Sequence, residues 1–368
     1  MLEPEGKVGI REFVALAVIM TGAKITDDTP VIFITGLDTA AWMSPFFLSL
    51  FIGLPTLMMF KVQSKFDTTS FAEYMNQLFG KVLTVIILLF IWVVFSYTIV
   101  LDSAKYTDII STMYFPETAP LWIYVVLMGV CAYVGKKGIE NIGSISWVLF
   151  PIINAAFLIA LVLGIMQGTS EFLFPIFGSG EIEIIKESFL RGSVQFDLLL
   201  LFVVIPFVSS LKSFKKGTLI AVSILIVEIT FAFIAFIVIF DFETAKLISY
   251  PYHELLRFIH FGSLENIETI FFPFWLVVPF IRISVYLFIS AYIFGQIFNI
   301  KHFEYLIPIF AYIIIFIGLI PDYPTLTLYH IRDKLMIYMT PFVYIFPFLL
   351  WTAAKLKEKK NHDIQPKS

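Results

Sequence analysis

The sequence predicts an all-α polytopic membrane protein with about ten transmembrane helices, arranged as a 5+5 inverted repeat with discontinuous helices 1 and 6. Three observations lead to this fold class. The 368 residues are 59% hydrophobic and 14% charged, and their mean hydropathy is +0.90, well outside the soluble range. The apolar residues form ten runs that suit roughly 30 Å of hydrocarbon. The first and the sixth of these runs are interrupted by glycine and polar residues.

The ten predicted spans divide the chain into two halves of five. An odd number of spans per unit inverts the second unit relative to the first, so spans 1 and 6 become counterparts. We expect one membrane domain, with a first repeat over 11–166, a second over 188–355 and a basic tail over 356–368. The spans lie near 11–35, 39–60, 81–112, 120–135, 144–166, 188–211, 217–240, 268–297, 304–320 and 335–355.

The distribution of lysine and arginine predicts the orientation of the spans. With a cytoplasmic N-terminus, sixteen basic residues fall on the cytoplasmic side. The other side receives mainly Lys186, Lys246, Arg257, Arg332 and Lys334. Cytoplasmic loops carry the excess of positive charge in membrane proteins, so both termini are expected in the cytoplasm. The net charge of −3 forms no basic face, so the expected partner is the lipid bilayer and not nucleic acid.

One cytoplasmic connection is predicted to form a helix of its own. The residues Asp67, Thr68 and Thr69 are of the helix-capping type, and the apolar residues Phe71, Tyr74, Met75 and Leu78 follow at helical spacing. This pattern favours an amphipathic helix at the membrane interface before span 3. An ordinary structured loop is the alternative.

The first span carries polar residues where lipid penalises them. Its segment 21–30 reads TGAKITDDTP. An isolated Lys or Asp near the bilayer midplane costs roughly 2.5–3.5 kcal/mol, whereas each Leu, Ile, Phe or Val returns only about 0.3–0.6 kcal/mol. We therefore predict a broken helix that lines a polar site, with Gly22 and Pro30 marking the break.

The sixth span contains a second break at the corresponding position, where segment 188–197 reads SFLRGSVQFD. Discontinuous helices in matching positions of two halves indicate a midplane site, in which free amides and helix ends bind a small zwitterion or a cation. The ligand-binding residues predicted from the two breaks are Thr21, Gly22, Ala23, Lys24, Ile25, Gly192, Ser193, Val194, Gln195, Phe196 and Asp197.

Two charged residues at the breaks have alternative interpretations. Lys24 either takes the place of a coupling cation or pairs with a ligand carboxylate, or it forms an internal ion pair with Asp27 or Asp28. Asp197 either holds an amine or caps the second half-helix, and the ligand role is slightly favoured.

The other charges within spans predict an intramembrane network of Asp27, Asp28, Asp102, Lys105 and Glu228. Asp102 and Lys105 lie three residues apart on one helix face and are expected to neutralise each other. Glu228 and Arg282 have no local partner, so each is expected to pair across helices.

Seven short motifs are distributed in chain order along almost the whole chain. They are SFAEY at 70–74, FGK at 79–81, GKKGIENIG at 135–143, FPIF at 174–177, YP at 250–251, LRF at 256–258 and LENIE at 264–268. In their order and spacing they resemble the B subunits of bacterial spore germinant receptors. That family is similar to the amino acid/polyamine/organocation transporters, so the resemblance implies their leucine-transporter-like fold.

The resemblance also implies a function and further site residues. It implies a sensor in the inner membrane of a spore that binds an amino acid or similar nutrient and acts with A and C subunits. Span 8 contributes to the central cavity of this fold, which adds Arg282 to the candidates. Ser96 and Tyr97 are candidates for the same cavity, with simple packing as the alternative. Lys24, Asp27 and Asp28 depart from the small residues and leucines usual in the family, so ligand specificity is expected there.

Three functional classes are open to such a chain. They are a ligand-sensing receptor subunit, a proton- or cation-coupled amino acid transporter, and a membrane-embedded enzyme. The enzyme is the least supported of the three classes, because the sequence offers no acid–base pair with a nucleophile, no phosphate-binding glycine loop and no set of metal ligands. We therefore expect neither a cofactor nor a metal. Lys24 argues against simple sodium coupling, although a lysine can replace the cation in proton-linked transporters. The sensing subunit is therefore favoured.

Overall fold

The computed structural model describes residues 7–66, 70–260, 267–321 and 324–364 as an almost entirely helical chain. The predicted capping residues 67–69, the first part of the LENIE motif at 264–266 and the end of the tail at 365–368 lie outside the described residues. The helices are α1 (Ile10–Gly22), α2 (Thr29–Leu37), α3 (Ser44–Phe66), α4 (Phe71–Phe79), α5 (Lys81–Ile109), α6 (Pro120–Lys136), α7 (Ile139–Gln167), α8 (Glu181–Leu190), α9 (Phe196–Leu200), α10 (Leu211–Ala245), α11 (Pro251–Phe258), α12 (Ile267–Phe298), α13 (Leu306–Gly318) and α14 (Pro324–Ile364).

The long apolar helices confirm the predicted fold class. Within the described residues, six helical runs are long and apolar enough to cross a membrane: Thr29–Phe66, Lys81–Tyr114, Ile139–Gln167, Leu211–Ala245, Ile267–Phe298 and Pro324–Glu358. The bent pair Glu181–Leu190 and Gly192–Phe207 adds a seventh, and the shorter apolar helices Pro120–Lys136 and Phe303–Gly318 coincide with predicted spans 4 and 9. With α1, these elements carry all ten predicted spans, and the protein is a multi-pass membrane protein.

Both predicted helix breaks are present. After α1 ends at Gly22, a 3₁₀ turn covers Ala23–Thr26, Asp27 is extended (φ −100°, ψ −151°), and α2 restarts with Pro30 in its first turn. After α8, a 3₁₀ turn covers Gly192–Gln195, and the two parts of this span are bent by 53°. Each break releases backbone N–H and C=O groups that need partners inside the protein.

The short helix α4 is confirmed as well. Its N-cap is Ser70, whose side chain accepts a hydrogen bond from Glu73 N, while the Glu73 carboxylate accepts one from Ser70 N. This reciprocal capping box satisfies two amides at the start of the helix. Phe71, Tyr74 and Met75 are buried on its inner face.

The packing places both breaks at the centre of the molecule. α1 packs against α7, α10 and α12, while α14 packs against α3, α5 and the 3₁₀ turn of the second break. The most apolar stretch of α12 is 83% buried, whereas that of the run beginning with α5 is 28% buried, so α12 lies near the centre of the bundle. Side chains of α5, α12 and α14 therefore reach the polar groups of the breaks.

Candidate functional site

The centre of the helix bundle holds a continuous network of buried ion pairs. Its members are the carboxylates Asp27, Asp28, Asp102 and Asp197 and the cations Lys24, Lys105, Arg282 and Arg332. Four negative charges thus face four positive charges, and the network is neutral overall. Buried charges are tolerated only where they are paired and hydrogen-bonded, and this balance meets that requirement.

Asp102 of α5 joins the two arginines at the middle of the network. Its Oδ1 accepts a hydrogen bond of 2.6 Å from Arg332 Nη2, and its Oδ2 accepts one of 2.8 Å from Arg282 Nε. The same Oδ2 lies 2.7 Å from Arg282 Nη2 in an ion pair. Arg282 then reaches Asp197 at 3.0 Å, and its guanidinium lies 4.5 Å from the ring centre of Tyr286. The Tyr286 hydroxyl donates to the second oxygen of Asp197. Helices α5, α9, α12 and α14 are therefore tied to one another through side chains.

The two ends of the network hold the first helix break. At one end, Arg332 contacts Asp27 and lies 3.0 Å from Asp28, which is also 2.8 Å from Lys105 Nζ. At the other end, Lys24 lies 2.9 Å from Asp197 and donates to the carbonyl oxygen of Val194. Lys24 thus connects the first break to the unwound backbone of the second.

Two predicted pairings, and one of the alternatives for Lys24, are not formed. Lys24 does not pair with Asp27 or Asp28, because its chain extends across to the second break. Asp102 and Lys105 do not pair with each other, because Asp102 pairs with Arg282 and Arg332 while Lys105 pairs with Asp28. Glu228 has no ion pair or hydrogen bond within the described ranges, although it is only 8% exposed. Arg282, by contrast, pairs across helices as predicted.

Arg332 is the network residue that the sequence did not indicate. We expected it in an extracytoplasmic connection, because span 10 was predicted to begin near residue 335. In the structure α14 begins at Pro324, and this extension carries Arg332 into the bundle, where it is 6% exposed. Charge counting offered a signal, because the predicted intramembrane charges comprised five carboxylates but only three cations.

A cavity of about 70 Å³ borders the network and is called the central cavity. That volume exceeds the roughly 10–15 Å³ that one water requires. One end is charged, with Lys24, Asp102, Asp197 and Arg332, and the remaining wall is largely apolar. The apolar wall comprises Phe90, Ile91, Val94, Leu101, Val194, Phe196, Leu335, Met336, Met339, Phe342 and Val343.

The central cavity brings together five of the predicted ligand-binding residues. They are Lys24, Ser193, Val194, Phe196 and Asp197. Ser193 is fixed by α14, because its hydroxyl donates to Met336 O at 2.6 Å and its amide donates to Thr340 Oγ1 at 3.0 Å.

A second cavity of about 50 Å³ lies on the other side of Lys24. Thr21, Ile25 and Gln195 line it, together with residues of α3 and α10. Lys24 and Val194 line both cavities, so their contact forms part of the partition between them.

The remaining predicted residues lie apart from the central cavity. Gly22 and Ala23 line a third cavity, described below, and Arg282 is fully buried behind Asp102 and Asp197. Ser96 lies 3.4 Å from the hydroxyl of Ser290, whereas Tyr97 points outward from α5 and is 41% exposed. Gly192 allows close approach of α14, because a Cβ there would overlap the hydroxyl of Tyr344.

Comparison with known proteins assigns the family. Residues 11–325 match the spore permease family, which is described as "Spore germination protein". The chain belongs to the spore permease family. This match covers most of the chain and agrees with the motifs from SFAEY to LENIE.

Two similar proteins are named as spore germination proteins. The chain is 26% identical over 197 residues to spore germination protein XB of Bacillus anthracis, which covers 52% of this chain and 55% of that protein. It is 26% identical over 233 residues to spore germination protein KB of Bacillus subtilis (strain 168), which covers 61% of this chain and 62% of that protein. The chain therefore spans little more than half the length of the relatives it matches.

A solved structure shares the fold of this spore permease. The crystal structure of MhsT in complex with L-phenylalanine matches with a TM-score of 0.62 over 95% of this chain and 100% of that chain. The sequence identity is 13%, so the match describes the fold alone. It agrees with the leucine-transporter-like architecture and its broken first and sixth spans.

Proposed function

We propose that this spore permease is the nutrient-sensing B subunit of a germinant receptor. It lies in the inner membrane of the spore with both termini in the cytoplasm, and it acts with A and C subunits. The observation that carries the proposal is the central cavity, which both helix breaks border and which has a charged end and an apolar wall. The nutrient we propose for it is an amino acid.

The charges of the cavity fit a ligand that is neutral overall. An amino acid carries one ammonium and one carboxylate, so its entry leaves the balance of the network unchanged. The ammonium would face Asp197 and Asp102, the carboxylate would face Lys24 and Arg332, and the side chain would lie against the apolar wall. A free anion or a free cation would leave one unpaired charge in a buried site, which is costly.

Signalling follows from contacts that differ between two states. The ligand competes with Lys24 for Asp197, so binding weakens the link between the two breaks. A ligand shifts a conformational equilibrium only by its difference in affinity for the two states. Breaking the Lys24 contact supplies such a difference, and the resulting movement of helices 1 and 6 would pass to the partner subunits.

A thermal-shift screen with a matched pair of variants tests the binding site. The purified chain in lipid nanodiscs is screened against amino acids, sugars and nucleosides. Val94→Trp fills the central cavity from α5, whereas Val93→Trp places the same ring on the outer face, where Val93 is 57% exposed. A ligand should raise the unfolding midpoint of the parent and of Val93→Trp but not that of Val94→Trp. A ligand that stabilises all three equally binds elsewhere.

The alternative function is a proton- or cation-coupled amino acid transporter, which the fold shared with MhsT favours. Liposomes that contain this chain alone separate the two. The sensing proposal expects binding without accumulation of the ligand inside. Concentrative uptake driven by a proton or cation gradient would establish transport instead.

A further inference from the structure

A third cavity, which we call the rear cavity, lies behind the first helix break. Its volume is about 50 Å³, and it shares no lining residue with the central cavity. Helices α1, α7, α10, α11 and α12 all contribute to its wall. The lining residues used below are Thr26, Asn154, Phe157, Glu228, Tyr252 and Trp275.

Glu228 gives the rear cavity a carboxyl group that pairs with no other described residue. It is 8% exposed and has no ion-pair or hydrogen-bond partner among the residues that the structure describes. The ion-pair network cannot compensate it, because its four carboxylates already match its four cations. An ionised carboxylate alone in an apolar environment is costly, so a positively charged occupant is what would stabilise the ionised form of Glu228.

The groups next to Glu228 supply no cation. Tyr252 is the other titratable residue in the lining. The neighbouring His253 on α11 contacts the ring of Trp275, with 4.5 Å between ring centres. Burial lowers the pKa of His253 to about 3, so its imidazole is neutral at physiological pH. No described cation of α10, α11 or α12 therefore pairs with Glu228.

Aromatic rings form much of the remaining wall. Phe157, Tyr252, Phe274 and Trp275 come from three helices. Trp275 is held in place, because its Nε1 donates to Thr26 Oγ1 at 2.9 Å and its ring stacks on Tyr114. Aromatic faces attract ammonium groups, and a carboxylate among such rings is the chemistry that recognises alkylammonium ions.

An inorganic cation fits this lining less well. Divalent ions such as Ca²⁺ and Mg²⁺ take six or more oxygen ligands. The lining offers side-chain oxygens only from Glu228, Asn154, Thr26 and Tyr252, and Thr26 Oγ1 is already engaged by Trp275 and by its own bond to Ala23 O. An alkylammonium ion needs fewer polar partners and buries its methyl groups against the rings.

We propose that the rear cavity binds a small organic ammonium ion, with Glu228 as its counter-charge and the aromatic rings as its wall. The occupant would contact the first break at Gly22, Ala23 and Thr26, on the side opposite the ion-pair network. This site does not depend on the proposed nutrient function, because its ligand and its residues are different.

The full-length chain in nanodiscs tests the proposal by thermal shift at constant ionic strength. The probes are methylammonium, choline, sodium and 3,3-dimethyl-1-butanol, which is the uncharged isostere of choline. At least one ammonium probe should raise the unfolding midpoint with saturation, and sodium and the isostere should not. Val94→Trp should keep this response, which distinguishes the rear cavity from the nutrient site. The absence of a saturable ammonium response, or an equal response to sodium, would overturn the proposal.

Two variants and a control assign the binding to these residues. Glu228→Gln should abolish the ammonium response. Glu243→Gln should retain it, because Glu243 lies beyond a kink at Asp241 in α10 and its side chain is 70% exposed. If Glu228→Gln does not fold, Phe157→Leu keeps an apolar wall without the ring and should weaken the Kd about 2- to 30-fold. A response unchanged in Glu228→Gln, or in Phe157→Leu where that variant is needed, would place the ammonium elsewhere.

Discussion

Removing one charge from the neutral network should destabilise the protein strongly. Lys105 is fully buried, lies 2.8 Å from Asp28 and donates to the carbonyl of Thr325 at 3.0 Å. Lys105→Met keeps a similar length without the charge, so four carboxylates then face three cations. Leaving a buried charge without its partner costs about 3–5 kcal/mol. We expect a loss of stability of that size.

The unfolding midpoint of the purified protein measures this loss. A loss of 1 kcal/mol in the free energy of unfolding lowers the unfolding midpoint by about 2–4 °C in proteins of 150–250 residues. The lower value suits this longer chain, so Lys105→Met should lower the midpoint by about 6–10 °C. Lys186→Met is the matched control, because Lys186 pairs with Glu183 at 2.9 Å but its side chain is 55% exposed. Exposed pairs contribute less than about 1 kcal/mol.

The double variant distinguishes charge balance from loss of packing. Asp28→Asn alone also leaves an unpaired charge, whereas Lys105→Met together with Asp28→Asn restores three charges of each sign. The double variant should therefore be more stable than the sum of the single effects predicts, with a coupling of about 1–3 kcal/mol. Additive effects, or a Lys105→Met variant no less stable than Lys186→Met, would refute the argument from charge balance.

Two further predictions concern residues outside the network. Gly178 has φ +46°, and a Cβ there would overlap the carbonyl oxygen of Leu37, so Gly178→Ala should lower the free energy of unfolding by at least about 1–3 kcal/mol. Gly53 has open space around it, so Gly53→Ala should not destabilise the protein. Equal unfolding midpoints for the two variants would contradict this prediction. Because the pKa of His253 is lowered to about 3, its contribution to stability is fully present above the ordinary value of about 6.5 and is lost as the pH falls towards 3. At pH 5 the loss is about 2 kcal/mol, so the midpoint should fall further between pH 7 and pH 5 in the parent than in His253→Gln, and an equal fall in both would disprove it.

The sequence predicted the features that depend on local energetics. Glycine and charged residues within an apolar run conflict with lipid wherever they face it, so the breaks at 21–30 and 188–197 could be located without a structure. The same holds for α4, which was predicted from apolar residues at helical spacing after residues of the helix-capping type. These features need no knowledge of which helices are neighbours.

The pairing of charges could not be predicted in the same way. Lys24 has two aspartates three and four residues away, yet it pairs with Asp197, because the unwound backbone turns its side chain towards the second break. Arg332 lies in the mostly polar stretch 330–334, which resembles a loop, and only the extension of α14 carries it inside. Partner choice depends on the rotation and length of helices, which hydropathy does not determine.

The long separation of paired charges has a consequence for synthesis of the protein. Asp27 and Arg332 are 305 residues apart in the chain. At a translation rate of about 5–20 residues per second, Arg332 is made about 15–60 s after Asp27. Asp27 therefore enters the membrane well before this cation exists, and a nascent chain that stalls before α14 leaves Asp27 without its partner. Helix α14 therefore completes the charge balance of the network, and chains truncated before it should be targets for membrane quality control.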